Sequence, residues 1–241
     1  MSFPWTKAEF DAKVQKAVKY YWRKRSGQAG KQRKSGKVDA GRRGEVTGGQ
    51  HLNAFVRLIF EIGAAAGYKA SEMFDGREFP IPGYYRPQKN WDLVFAKEGR
   101  LVAVIELKSQ SGSFGNNCNN RAEEVLGVSR DFWKAYREKA LGTMTAPWVG
   151  YFFLLRKSGA STKPVRTRTR KSFLPPMPEF VDSSYLRRYE LLFERMMLER
   201  DFTAASLLAT TGAGVICPCE NTALSFWEFC TSLYRHLVAN V

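Results

Sequence analysis

The sequence predicts a single α/β domain over residues 1–241, with a short mixed β-sheet flanked by helices and a helical C-terminal part. Three observations carry that reading. Apolar residues recur at helical spacing near the N-terminus, at Phe10, Val14, Ala17, Val18 and Tyr21. Two β-forming runs, Trp91–Ala96 and Leu101–Leu107, are joined by only Lys-Glu-Gly-Arg, which suits a hairpin. A third apolar run, PWVGYFFLL at Pro147–Leu155, reads as another buried strand. With 241 residues, 44% of them hydrophobic, the chain can bury a sizeable core.

The elements follow in order. Thr6 and Glu9 make a capping-box pattern, so a first helix is expected from about Lys7 to Trp22. Residues 23–43 read as a mobile basic loop. A second helix runs from near Gln50 to Gly67, with Leu52, Phe55, Val56, Ile59 and Phe60 on its apolar face, and carries Glu61. FPIPGYYRPQ at residues 79–88 holds three prolines and a glycine and reads as an ordered loop. After the hairpin, Ser109–Asn120 is a polar loop, and a helix spans about Arg121 to Leu141, closed by Gly142. A second basic loop, 156–171, leads to the helical part, 182–241, whose last helix covers Thr222–Val238.

Composition excludes some classes. No apolar run approaches the roughly 20 residues of a membrane helix. The N-terminus has no apolar signal region, so the chain is expected in the cytoplasm. Cys217, Cys219, Cys230 and His236 match no usual zinc-site spacing, and the cysteines read as buried or free thiols.

The net charge is +15. Residues 23–43 hold nine basic residues and one acid, and residues 156–171 hold seven basic residues and no acid. The two blocks account for the whole excess. Such blocks match a polyanion, because neutralised phosphates release counterions.

The stretch NWDLVFAKEGRLVAVIELK (Asn90–Lys108) places Asp92, Glu106 and Lys108 inside or beside runs that are otherwise apolar. Glu106 and Lys108 share one strand face, and the hairpin brings Asp92 towards Glu106. A buried ionised group is costly unless paired or metal-bound. Two carboxylates from adjacent strands suit a hard divalent ion such as Mg²⁺, and a neighbouring lysine suits the orientation or deprotonation of water. This is the logic of metal-dependent phosphodiester hydrolysis. The plainer alternative is a buried Glu–Lys pair beside a surface aspartate.

The next stretch, SQSGSFGNNCNNRAEE, holds four asparagines and an arginine within six residues. Asn pairs bidentately with adenine and Arg with guanine in the major groove. Gly112 and Gly115 would let the backbone approach a ligand closely.

ELKSQSGSFGNNCNNRAEEVLG (Glu106–Gly127) closely resembles the signature segment of the XhoI family of type II restriction endonucleases. IPGYYRPQKNWDLVF (Ile81–Phe95), PWVGYFFLL and GGQHLNAF (Gly48–Phe55) fit the same family, over a core of about residues 45–165. The resemblance implies a restriction-endonuclease-like core of the PD-(D/E)xK type, with Asp92, Glu106 and Lys108 in the D, E and K positions. The proline before the aspartate is absent, and Cys118 stands where the family has an aromatic residue. It further implies Mg²⁺-dependent cleavage of double-stranded DNA at CTCGAG with 5′ overhangs, a homodimer, and a companion methyltransferase.

On that basis Asp92, Glu106 and the Leu107 carbonyl are expected as metal ligands and Lys108 as the catalytic amine. Glu61 and Gln110 are candidates for an outer shell. Asn116, Asn117, Asn119, Asn120 and Arg121 are expected to contact bases or backbone, and Arg86 and Lys89 phosphates. Glu123 and Glu124 are assigned to the helix dipole. The rival readings are another nuclease on the same scaffold, for repair or junction resolution, and a DNA-binding protein without catalysis.

Overall fold

A computed structural model of the chain describes residues 2–35, 50–76, 78–143, 145–167 and 173–241. The helices are α1 (Lys7–Ser35), α2 (Asn53–Ala65), α3 (Phe114–Arg137), the one-turn α4 (Gly159–Thr162), α5 (Tyr185–Leu198) and α6 (Phe226–Val238). The strands are β1 (Met73–Asp75), β2 (Ile81–Pro82), β3 (Gln88–Lys89), β4 (Leu93–Lys97), β5 (Arg100–Gln110), β6 (Trp148–Arg156) and β7 (Ala204–Thr210).

Five strands form one mixed sheet in the order β1-β4-β5-β6-β7. The first two pairings are antiparallel and the last two parallel. Helices cover both faces. Apolar residues of α1, α2 and α6 pack with Leu93, Ile105 and Leu107 on one face. Apolar residues of α3 and α5 pack with Val94, Val104 and Phe153 on the other. β5 is therefore enclosed on both sides, as its unbroken apolar run requires. The α/β class and the mixed sheet flanked by helices are as the sequence predicts. Among the described residues no helix is long and apolar enough to cross a membrane.

The hairpin between β4 and β5 turns on Glu98 and Gly99, with φ of 51° and 74°. Positive φ at both central residues matches the right-handed strand twist. Further along, Ala96 pairs with Leu101 but Phe95 pairs with Ala103, so Val102 is an extra residue, a β-bulge. The His236 Nε2–H of α6 donates to the Val102 carbonyl at 3.1 Å.

The α1 capping box forms: the Thr6 N–H donates to Glu9 Oε2 at 2.8 Å, and the Glu9 N–H to Thr6 Oγ1 at 3.3 Å. Phe10, Val14, Ala17, Val18 and Tyr21 are all buried as expected. The helix does not stop at Trp22, however. It runs to Ser35, so residues 23–35 are helical and not a loop. The Ser26 hydroxyl donates back to the Trp22 carbonyl at 2.8 Å, which lets a serine sit inside the helix. Residues 36–43 of the same stretch lie outside the described residues.

The second basic stretch is also more ordered than expected up to residue 167. Arg156 ends β6, α4 follows, and the Thr167 N–H donates to Asp182 Oδ1 at 2.9 Å. Residues 168–171 lie outside the described residues.

The C-terminal part is not wholly helical. It contains β7, which is buried along its whole length and parallel to β6. The edge strand β1 was also not foreseen. The polar loop Ser109–Asn120 is corrected too: β5 continues through Gln110, and α3 starts at Phe114. That helix ends at Arg137, where Lys139 takes a left-handed φ of 62° ahead of Gly142.

Candidate active site

β4 and β5 pair Leu93 with Ile105, and one step further sets Asp92 opposite Glu106. Directly opposed residues share a face, here the α3/α5 side. The Leu107 N–H donates to Asp92 Oδ2 at 2.7 Å, which ties the aspartate to the strand. The N–H and C=O of one strand residue leave on the same side, so the Leu107 carbonyl also faces the Asp92 edge.

Glu106 is buried, with 4% of its surface exposed. Its Oε1 accepts from Lys108, and its Oε2 accepts from Lys89 at 2.8 Å. The Lys108 Nζ also lies 3.9 Å from Asp92 Oδ2 and 3.7 Å from Glu124 Oε1. Glu124 in turn pairs with Arg121, one helical turn earlier on α3. Three carboxylates and three cations thus form one network.

The electrostatics follow from this crowding. Burial, together with the charge of Glu106, pushes Asp92 up to about 6, against the pull of Lys108. Burial acts on Glu106 in the same direction, but Lys108 and Lys89 outweigh it and hold the carboxyl below its ordinary value. Burial alone would lower Lys108, yet Glu106 and Asp92 outweigh it and raise the ammonium above its usual range. At neutral pH the centre therefore holds an ionised glutamate and an ionised lysine beside a strained aspartate.

Among the described residues no three His, Cys, Asp or Glu side chains are grouped to hold a metal. The donors that do converge are all oxygen, two carboxylates and the Leu107 carbonyl. That set suits Mg²⁺, which takes one or two carboxylates and keeps several waters. Asp92 is raised first by burial and then by the charge of Glu106.

The other expected residues are placed as follows. Glu61 is not brought to the cluster; it pairs with Lys13 of α1 at 2.6 Å on an exposed helix surface. Gln110 shares the Lys108 face but is buried. Its Oε1 accepts from the Tyr189 hydroxyl, and its Nε2 donates to the Gly112 carbonyl at 3.1 Å. It fastens the turn before α3.

Asn116, Asn119 and Asn120 lie on the first two turns of α3, and all three are exposed. Asn117 is half-buried. They are helical, not loop residues, and the helix opens at Ser113. Arg121 turns inward, with its guanidinium 5.9 Å from the Phe153 ring centre and on Glu124. Gly115 makes room for Tyr185: an added Cβ would meet the Tyr185 hydroxyl at 2.8 Å.

Arg86 pairs with the buried Asp131 of α3 at 2.8 Å. Asp131 also accepts from the Tyr84 and Tyr85 N–H groups at 2.8 and 2.7 Å, so it pins the Pro-rich loop. Lys89 is drawn into the carboxylate cluster and is not left at the surface. Sequence reasoning missed Lys89 and Glu124 as members of the network. The two-residue ladder of β2 and β3, pairing Ile81 with Lys89, is what aims Lys89 inward, and no pattern in the sequence announces it.

The family model described as restriction endonuclease XhoI matches residues 31–216. The chain is 42% identical over 186 residues to the type II restriction enzyme BstVI of Geobacillus stearothermophilus, covering 75% of this chain and 82% of that one. It is 39% identical over 158 residues to the type II restriction enzyme AbrI of Azospirillum brasilense, covering 65% and 71%. It is 37% identical over 195 residues to the type II restriction enzyme XhoI of Xanthomonas vasicola, covering 80% and 77%. No solved structure matches the chain.

Proposed function

The chain belongs to the XhoI restriction endonuclease family, and from that premise we propose that this site-specific deoxyribonuclease cuts double-stranded DNA at CTCGAG with Mg²⁺, leaving 5′ overhangs. The observation that carries the reading is the convergence of Asp92, Glu106 and Lys108 on one strand edge. That edge lies beside α3, the helix that presents the exposed asparagines.

Asp92, Glu106 and the Leu107 carbonyl would hold the metal. Bound there, it would neutralise charge on the scissile phosphate and lower the pKa of a coordinated water. Lys108 positions the attacking water and offsets negative charge as it builds on the phosphate. Glu106 keeps Lys108 protonated and aimed, and Glu124 limits where the ammonium can swing. Asn116, Asn119 and Asn120 stand on the opening turns of a helix, where recognition helices reach base edges. The basic residues of α1 and of the segment after β6 supply affinity for phosphates without reading sequence.

A palindromic target is read most simply by a two-fold symmetric protein, so the active form is a homodimer. We read the whole chain as one catalytic domain acting in the cytoplasm, where a methyltransferase of the same specificity protects the host DNA.

The test is digestion of a linear duplex with one CTCGAG site, in Mg²⁺ and in EDTA, beside a scrambled-site control. Two discrete fragments only with Mg²⁺ and the intact site are expected. Cutting of both duplexes would overturn the assigned sequence, and cutting in EDTA would overturn the metal.

A further inference from the structure

Both oxygens of the Glu106 carboxylate are already held by ammonium groups, Oε1 by Lys108 and Oε2 by Lys89. The E-x-K spacing accounts for Lys108. Lys89 comes from outside that pattern, and only 13% of its side chain is exposed. Its ammonium also rests 5.0 Å from the centre of the Trp91 ring, a cation–π contact.

Charge decides what this means. Asp92, Glu106 and Glu124 face Lys89, Lys108 and Arg121, so the network is neutral as it stands. A divalent cation added to it would leave two uncompensated charges in a partly buried place and would compete with Lys89 for Oε2. With Lys89 withdrawn the network carries one negative charge. One divalent cation and one phosphodiester then restore neutrality. The backbone of Lys89 is fixed by its pairing with Ile81, and Asp131 fastens the loop between them, so the flexible side chain is the part free to move.

We infer that Lys89 is a built-in counter-ion of the metal-ligating carboxylate: it occupies Glu106 in the DNA-free protein and moves to a backbone phosphate when duplex docks. Metal binding thereby depends on DNA, and the free enzyme is kept from loading at its cleavage centre. This rests on the reading of Asp92 and Glu106 as metal ligands.

The test is calorimetric titration of the DNA-free protein with Mn²⁺, for wild type, Lys89→Met, Lys89→Gln and Glu106→Gln. Both Lys89 variants should bind Mn²⁺ on the order of tenfold more tightly than wild type, the factor that corresponds to about 1.4 kcal/mol. Adding a duplex with an uncleavable linkage should tighten binding in wild type far more than in the variants. Thermal unfolding with and without Mn²⁺ gives a second readout if a variant folds less stably, because a ligand that binds only the folded state raises Tm, and more so the tighter it binds. Equal Mn²⁺ affinity for wild type and both Lys89 variants, lost in Glu106→Gln, would overturn the role of Lys89 and leave the metal site standing. Mn²⁺ binding that survives Glu106→Gln would overturn the metal-site reading beneath it.

Discussion

Replacing Lys108 by alanine should separate chemistry from recognition. The amine touches Glu106, Asp92 and Glu124 and lies beside the helix that carries the exposed asparagines, not on its outer face. Breaking a buried ion pair typically costs about 3–5 kcal/mol, because an uncompensated charge is left behind. Here Glu106 keeps Lys89 at 2.8 Å, and Asp92, already pushed up to about 6, can take a proton. The cost should therefore fall to about 1–3 kcal/mol, a drop of roughly 3–10 °C in Tm for a chain of this size. The catalytic loss should be far larger, about 10²–10⁴-fold, the usual worth of a positioned acid–base group. Single-turnover cleavage in Mg²⁺ reports the chemistry, a gel shift on site and non-site duplexes reports recognition, and thermal unfolding reports the fold. A variant that cleaves within tenfold of wild type, or that loses specific binding with its Tm intact, would refute the reasoning.

Three further outcomes follow from the same geometry. Arg23, Lys24 and Arg25 changed together to Gln should flatten the salt dependence of binding by roughly 2–3 units of slope, equally on site and non-site DNA. A changed target preference would show instead that α1 reads bases. Asn119→Ala or Asn120→Ala should cut discrimination against single-base-pair changes by about 1–3 kcal/mol at the position read while sparing non-specific affinity. A competition gel shift with an unchanged site-to-non-site ratio would remove that residue from the reading surface. His51 is buried and pushed down to about 4 by desolvation and by Arg25, so the fold favours its neutral form. The unfolded chain then binds the extra proton between pH 6.5 and 4, so this stability is full above 6.5 and is lost as pH falls towards 4. After discounting for partial solvent access it amounts to about 2 kcal/mol. Denaturant unfolding from pH 7 to 4, compared between wild type and His51→Gln, should show the two curves diverging by that amount, and parallel curves would count against it.

The parts of the fold that were legible are those where local pattern and tertiary demand agree. The hairpin could be read because two β-branched, apolar runs flank a turn containing Gly99. The face shared by Glu106 and Lys108 needed only the two-residue period of a strand. β7 was missed because AASLLAT has little intrinsic strand preference; its buried place beside β6 decides its form. The start of α3 was hidden by four asparagines of low helix propensity. The usable signal was apolar spacing, since Phe114, Cys118, Val125, Val128 and Phe132 all bury one helical stripe. The basic run after Trp22 looked like a loop because of Ser26, Gly27 and Gly30, yet it extends a helix already nucleated by the packed turns before it. Within the site, Asp92, Glu106 and Lys108 could be anticipated, whereas Lys89 and Glu124 join through a two-residue ladder and a helix start that only the assembled chain defines.

The bulge at Val102 has a consequence for how this lineage can change length. If Val102 were paired with Phe95 and not bulged out, the two-residue turn would set Asp92 against Ile105 in place of Glu106, and β4 would present its buried side chains to the wrong layer. A single deletion or insertion within the paired stretches on either side of the bulge is therefore not a small edit, because it slips the strand beyond it. Loss of Val102 itself would straighten the ladder and leave the two carboxylates face to face. Descendants of this chain should change length in that interval at the bulge or the turn and nowhere along the paired stretches. His236, whose ring holds the Val102 carbonyl from a helix at the far end of the sequence, should be inherited together with the bulge it fastens.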